Sequence, residues 1–255
     1  MDLRLKGQNV LVTGGSKGIG AACAKAFLSE GCSVTIVSRD PARLEATRKD
    51  LAPHGTVTAI AADLSKASER ERVAAACPAT TILVNNAGAI PGGGLLDLTM
   101  ERWTEAWSLK VMGYVHMTQL FLAHMKERKA GTIVNIIGMA GRSPRYDYIC
   151  GATGNAALIA FTGAVGGRSP DWGIRVFGIN PAATRTDRII SLSKNRAKAK
   201  FGDENRWEEM LTGLPFDRLI DADEIANAAA FLASPACGYV SGTVLDVDGG
   251  GHHRG

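Results

Sequence analysis

Cysteine is scarce in this chain, and its spacing excludes two classes at once. The 255 residues contain five, Cys23, Cys32, Cys77, Cys150 and Cys237, an odd number with no CxxC pair. That argues against a disulfide framework or a zinc site, so no metal is expected, and it fits free thiols in a reducing cytoplasm. Charge of one sign is also lacking. A net charge of +4 does not suggest a nucleic-acid partner. No run is read as approaching the roughly eighteen apolar residues of a membrane span, so no membrane partner is expected. The segment Met1 to Lys6 mixes charges with leucines and leads into a strand, which argues against a signal peptide. Internal repeats, low-complexity tracts and linkers are missing as well.

What is present is a regular alternation. Short β-branched runs, such as Asn9 to Val12, Ser33 to Val37, Thr81 to Val84, Thr132 to Ile136 and Ile174 to Ile179, alternate with helical stretches. Near-continuous apolar strands separated by helices read as a parallel sheet covered on both faces. The expected fold class is α/β, a doubly wound parallel sheet (Rossmann-like), with residues 1–255 as a single dinucleotide-binding domain. A segment from Met100 to Glu127 reads as one long amphipathic helix. The stretch 185–217 breaks the rhythm. It is charged and falls after the sixth strand, where ligands bind at strand carboxyl ends, so it is a candidate substrate lid.

The first strand ends in Thr13-Gly14-Gly15-Ser16-Lys17-Gly18-Ile19-Gly20 and a helix follows. Glycines at 14, 18 and 20 let the backbone approach a pyrophosphate, and the helix N-terminus supplies N–H groups. Asp63-Leu64 follows the third strand, Asn85-Asn86-Ala87-Gly88 the fourth, Asn180-Pro181 ends the sixth, and Val247-Asp248-Gly249-Gly250 ends the seventh. In this order the motifs resemble the short-chain dehydrogenase/reductase family, from about Leu5 to Gly250. The resemblance implies a cofactor site of Gly14, Ser16, Lys17, Gly18, Ile19, Gly20, Asp63, Leu64, Asn86, Ala87, Gly88, Pro181 and Thr186. It places Asp63 at the adenine and Thr186 near the nicotinamide amide. It also implies a homodimer or homotetramer. The family usually has glycine after the proline, where this chain has Ala182.

At the end of the second strand a carboxylate would bind a ribose 2′-hydroxyl and repel a 2′-phosphate. Here the residue is Ser38, followed by Arg39, with Lys17 in the glycine turn. A hydroxyl and two cations suit a phosphate, so NADP(H) is favoured over NAD(H). Asp40 is the counterargument.

Family members protonate the nascent alkoxide with a Tyr, aided by a Lys four residues on, a Ser and an Asn. By resemblance the Ser position is Gly138, the Tyr position Gly151, the Lys position Asn155 and the Asn position Lys110. Two readings stay open. In one, the relay is rewired: Lys110 supplies a cation, Asn155 completes an exchange with it, and the Tyr148 phenol replaces the lost one. In the other, Tyr148 packs against a neighbour and Lys110 meets a carboxylate or solvent. Spacing favours simple packing for Tyr148 and leaves Lys110 even. The function read from the chain is an NADP(H)-dependent oxidoreductase with an atypical proton donor, Lys110 or Tyr148, acting on a small molecule. Arg185, Arg188, Lys194, Arg196, Lys198 and Lys200 would favour an anionic substrate, against the simpler reading of a solvated helix face. The alternative is a non-catalytic dinucleotide-binding protein that keeps the fold without the relay.

Overall fold

The computed structural model describes residues 1–254. Seven strands form one sheet in the order β3-β2-β1-β4-β5-β6-β7. They are β1 (Asn9–Thr13), β2 (Ser33–Ser38), β3 (Val57–Ala61), β4 (Ile82–Asn85), β5 (Gly131–Ile136), β6 (Ile174–Pro181) and β7 (Val244–Val247), and each adjacent pair is parallel. The helices are α1 (Gly18–Ser29), α2 (Pro41–Leu51), α3 (Ala67–Ala76), α4 (Met100–Leu109), α5 (Val111–Arg128), α6 (Ile149–Arg168), α7 (Asp187–Phe201) and α8 (Ala222–Ala233).

The strands are apolar on both sides because both faces are covered. Val10 and Val12 of β1 join Phe27 of α1 and Ile225 and Ala229 of α8 in one core layer. Leu11, between them, faces the other way and packs with Met117, Phe121 and Met125 of α5 and Val73 of α3. Side chains alternate across a strand, so one sequence run supplies two cores. The strand order reverses beside β1, between β2 and β4. A crevice opens there at the carboxyl ends of the strands.

Two expectations need correction. The segment Met100 to Glu127 is two helices that meet at Lys110. Helical hydrogen bonding passes through the junction, from Lys110 N to Ala106 O and from Tyr114 N to Lys110 O, so it is a bend. The second concerns long apolar runs. The segment Ile149–Trp172, which contains α6, is long and apolar enough to cross a membrane by length and composition. In the fold, Asn155, Leu158 and Thr162 of α6 are buried, and Thr162 Oγ1 accepts from Asn135 Nδ2 of β5 at 3.0 Å. Its apolar surface serves the sheet.

Candidate functional site

Two cavities meet at the carboxyl end of the sheet. The first, ≈ 600 Å³, is bounded by the β1–α1 turn, the ends of β2 and β4, and the start of α7. Its floor depends on missing side chains. Gly14 and Gly18 have φ of +67° and +54°, which glycine adopts without strain. A Cβ at Gly14 would lie 2.9 Å from Asn86 Nδ2, and one at Gly20 would overlap the Gly14 carbonyl. Asn86 holds the turn from the other side, donating through Nδ2 to Thr13 O at 3.0 Å and Gly14 O at 3.3 Å. Thr13 Oγ1 accepts from the Asn86 and Ala87 backbone N–H groups.

Gly14, Ser16, Lys17, Gly18, Ile19 and Ser38 line this cavity, as do Arg39, Leu64, Asn86, Ala87, Gly88 and Thr186. Three residues expected there are placed differently. Gly20 lies beneath the turn. The Asp63 carboxylate is turned onto Ser65, accepting from its N at 3.2 Å and its Oγ at 2.8 Å. Pro181 lines the second cavity. The cations of the first cavity are arranged differently from the sequence expectation. Lys17 Nζ is 3.0 Å from Asp187 on α7, whereas Arg39 and Arg43 both line the cavity, Arg43 with its Nε 4.0 Å from Asp40. Asp40 caps α2, accepting from Arg43 N at 3.1 Å. Asp40 followed by Pro41 is a helix-start signal that could have shown this role, whereas nothing in the sequence marked Arg43. Ser38 Oγ accepts from Ser16 Oγ at 2.9 Å.

The second cavity, ≈ 400 Å³, shares Ile19, Asn86, Gly88, Thr186 and Arg188 with the first. Three of the four relay positions, Lys110, Gly138 and Asn155, line it, and the fourth, Gly151, lies behind the Tyr148 ring. Lys110 sits at the α4–α5 bend, and its aliphatic stem runs across Gly88, where a Cβ would lie 2.8 Å from Lys110 Cδ. Its Nζ donates to Ile137 O at 2.8 Å and to Ile136 O at 3.4 Å. Tyr114 Oη also donates to Ile136 O, at 2.7 Å. Lys110 is half-buried at the cavity wall, and no carboxylate pairs with it among the described residues. Its ammonium rests on two backbone dipoles and no countercharge. Burial, with the nearby Arg188 charge adding to it, pulls its pKa down to about 7.

Asn155 is buried and donates through Nδ2 to Gly138 O at 3.3 Å, while its Oδ1 has no partner. Gly138 has φ +135°, and a Cβ there would lie 2.9 Å from Asn155 Nδ2. The carbonyls of three successive residues after the core of β5 therefore bind Lys110 or Asn155.

Tyr148 packs against neighbours and also reaches the cavity, but not from a helical turn. It precedes α6 as the N-cap residue, with φ −143° and ψ 33°, so it does not share a helical face with Gly151. Its ring folds back over Gly151, and a Cβ on Gly151 would overlap Tyr148 Cε1 and Cζ. Trp103, Trp107 and Ile90 pack around it. Its hydroxyl lines the cavity and accepts from Arg188 Nη2 at 2.7 Å. Arg188 also donates to Gly88 O and Ile90 O. Arg145 and Arg196 line the outer part of the cavity and share one carboxylate, Asp147, at 3.3 Å and 2.8 Å. Cys150, beside Gly151, is buried and its thiol pKa is raised by burial, so it is no nucleophile.

A crevice at the strand-order reversal, floored by a glycine turn, restricts the choice of family. The profile of the short chain dehydrogenases matches residues 8–197. The chain belongs to this family. The uncharacterised oxidoreductase YvrD of Bacillus subtilis is 33% identical over 259 residues, covering 98% of each chain. L-sorbose reductase from Gluconobacter frateurii, solved with NADPH and L-sorbose, superposes with a TM-score of 0.89 at 28% identity over 98% of both chains. A 7α-hydroxysteroid dehydrogenase complexed with NADH and 7-oxo glycochenodeoxycholic acid gives 0.86 at 30% identity, over 98% of this chain and 96% of that one. Of the six cations read from the 185–217 stretch as favouring an anion, Arg188 and Arg196 line the second cavity, and Arg145, which sequence reading did not single out, joins them. Arg188, Leu192 and Arg196 are spaced i, i+4, i+8, so they share one face of α7. That spacing is the signal that could have separated these two from the other cations of the run.

Proposed function

We propose that this protein is an NADP(H)-dependent reductase of small carbonyl compounds in which Lys110 gives the proton. The first cavity fits the cofactor. The glycine turn offers bare backbone for a pyrophosphate, and Arg39, Arg43 and Ser38 form a cationic, hydroxyl-bearing edge suited to a 2′-phosphate. NADPH in L-sorbose reductase supports this choice, whereas NADH in the hydroxysteroid dehydrogenase shows that the fold accepts either.

A reduced nicotinamide supplies a hydride. A carbonyl carbon that takes a hydride leaves a negative oxygen, which needs a proton as the charge forms. A positioned acid contributes about 10²–10⁴-fold. The observation that carries the reading is the Lys110 ammonium, which faces this cavity without a carboxylate and has a pKa of about 7. Near neutral pH it can both give and regain a proton. Two of its N–H bonds are held by Ile136 O and Ile137 O, which fixes the position of the third. Tyr148 binds the substrate oxygen. Its hydroxyl already accepts from Arg188 and keeps its own proton to donate. Asn155 and Gly138 take the places where the family resemblance puts Lys and Ser. Asn155 Nδ2 fills the space above Gly138, so the exchange with Lys110 is sterically consistent. The 185–217 segment acts as the lid through α7.

The test is NADPH oxidation with a panel of ketones and oxo acids, for wild type, Lys110→Met and Tyr148→Phe. Loss of about 10²-fold or more in kcat for Lys110→Met, with NADPH affinity retained, supports the assignment. Undiminished turnover in Lys110→Met rejects it. The absence of turnover with every substrate, despite tight NADPH binding, would favour a binding-only protein. The relatives named above are oxidoreductases, which weighs against that alternative.

A further inference from the structure

The charge of the second cavity is unbalanced. Lys110, Arg145, Arg188 and Arg196 line it, and among the described residues no Asp or Glu does. Asp147 lies outside the lining and serves two of these arginines at once. Lys110 and Arg188 are held by backbone carbonyls and a phenol. Carbonyl dipoles orient a cation but leave its net charge in place. A partly enclosed site of one sign raises the local concentration of ions of the other.

The cations are also ordered in space. Arg188 and Arg196 lie on one face of α7, with Leu192 between them, also lining the cavity. Eight residues at 1.5 Å each separate their Cα atoms by about 12 Å along the helix. Arg188 is at the inner end, against Gly88 and Tyr148. Arg196 is at the outer end, with Arg145 and Asp147. Between them along α7 stand Ile189 and Leu192, and Ile137 and Met139 add further apolar lining. Arg196 is positioned as an anion receptor with a partner to spare. Its Nε is paired with Asp147, and no other hydrogen bond engages its guanidinium among the described residues.

From this arrangement we infer that the substrate is an oxo acid, with its carbonyl at Lys110 and Tyr148, an apolar body along α7, and its carboxylate at Arg196 and Arg145. The inference rests on the proposed reductase reading for the inner end alone. A guanidinium binds a carboxylate through paired, charge-assisted bonds. The same carboxylate as a methyl ester keeps shape and carbonyl but loses the charge.

The test is a binding measurement, so it does not depend on turnover. Calorimetric titration of the protein saturated with NADP⁺ would use 7-oxooctanoate, 8-oxononanoate and 9-oxodecanoate, whose methylene chains separate ketone from carboxylate, each beside its methyl ester. At least one acid should bind about tenfold or more tighter than its ester. Arg196→Met should remove that advantage while leaving ester binding unchanged. Asp147→Asn, which frees both outer arginines, should increase it. If no acid outbinds its ester, or if Arg196→Met weakens acid and ester alike, the inference fails. An intact acid preference in a Lys110→Met protein that still turns over would reject the proton donor and leave the substrate class standing.

Discussion

Replacing Lys110 with methionine should make the protein more stable at neutral pH. The unfolded chain holds this proton to about pH 10.5, whereas the folded chain releases it near 7. Between those values the unfolded state carries more protons, so folding stability rises with pH across that window. Below pH 7 the full cost of burying the cation is present, and above 10.5 it is gone. A shift of this size corresponds to about 4 kcal/mol at pH 7 as an upper bound, at roughly 1.4 kcal/mol per unit. Methionine has a similar unbranched stem and does not carry the charge. Against the gain stands the Ile137 carbonyl, whose lysine hydrogen bond is lost, while Ile136 O keeps Tyr114. An unpartnered acceptor costs about 1–3 kcal/mol, less where water reaches it from the cavity. The net expectation is a gain of about 1–3 kcal/mol at pH 7 that reverses sign by about pH 10.5. Urea unfolding of wild type and variant at both pH values measures it. A variant less stable at pH 7, or equal offsets at the two pH values, would refute the argument that Lys110 is a half-buried cation without a countercharge.

Two further outcomes follow from the same geometry. Gly151→Ala places a Cβ where the Tyr148 ring lies, so the ring must move and its hydrogen bond to Arg188 must break. Turnover should fall about tenfold or more with NADPH affinity unchanged, and an unaltered kcat would show that Tyr148 plays no part. Arg39→Ala should weaken NADPH binding by about 10–100-fold and NADH binding little, as loss of a charge-assisted bond to phosphate requires. Equal losses for the two cofactors would remove the NADP(H) assignment.

The sequence made the sheet legible because strand and helix alternate with different periods and both faces of the sheet are covered. Val10, Leu11 and Val12 need no partner information to be read as a buried strand. The glycine turn was legible for a related reason: its strand-turn-helix setting is local, and Gly20 is demanded by contact with the nearby Gly14 carbonyl. The relay region was only half legible. The residue types at 110, 138, 151 and 155 could be read, but not what they bind. Lys110 finds the carbonyls of Ile136 and Ile137, which become available only because β5 ends there and the chain turns through Gly138 at positive φ. Tyr148 could not be placed by helical spacing, since it is the N-cap residue and its dihedrals throw the ring back over Gly151. Lys17 meets Asp187, a partner 170 positions away, and that pairing depends on how α7 closes over the turn. The arginines of α7 were visible as a charged run, yet which of them face the cavity depends on the rotation of that helix.

The most direct measurement is an NMR titration of the Lys110 ammonium in protein labelled at its lysine side chains, assigned by comparison with Lys110→Met. A midpoint near pH 7 is the expected result. A Lys110 signal that stays charged to about pH 10, like an exposed lysine, would contradict the account of this cavity.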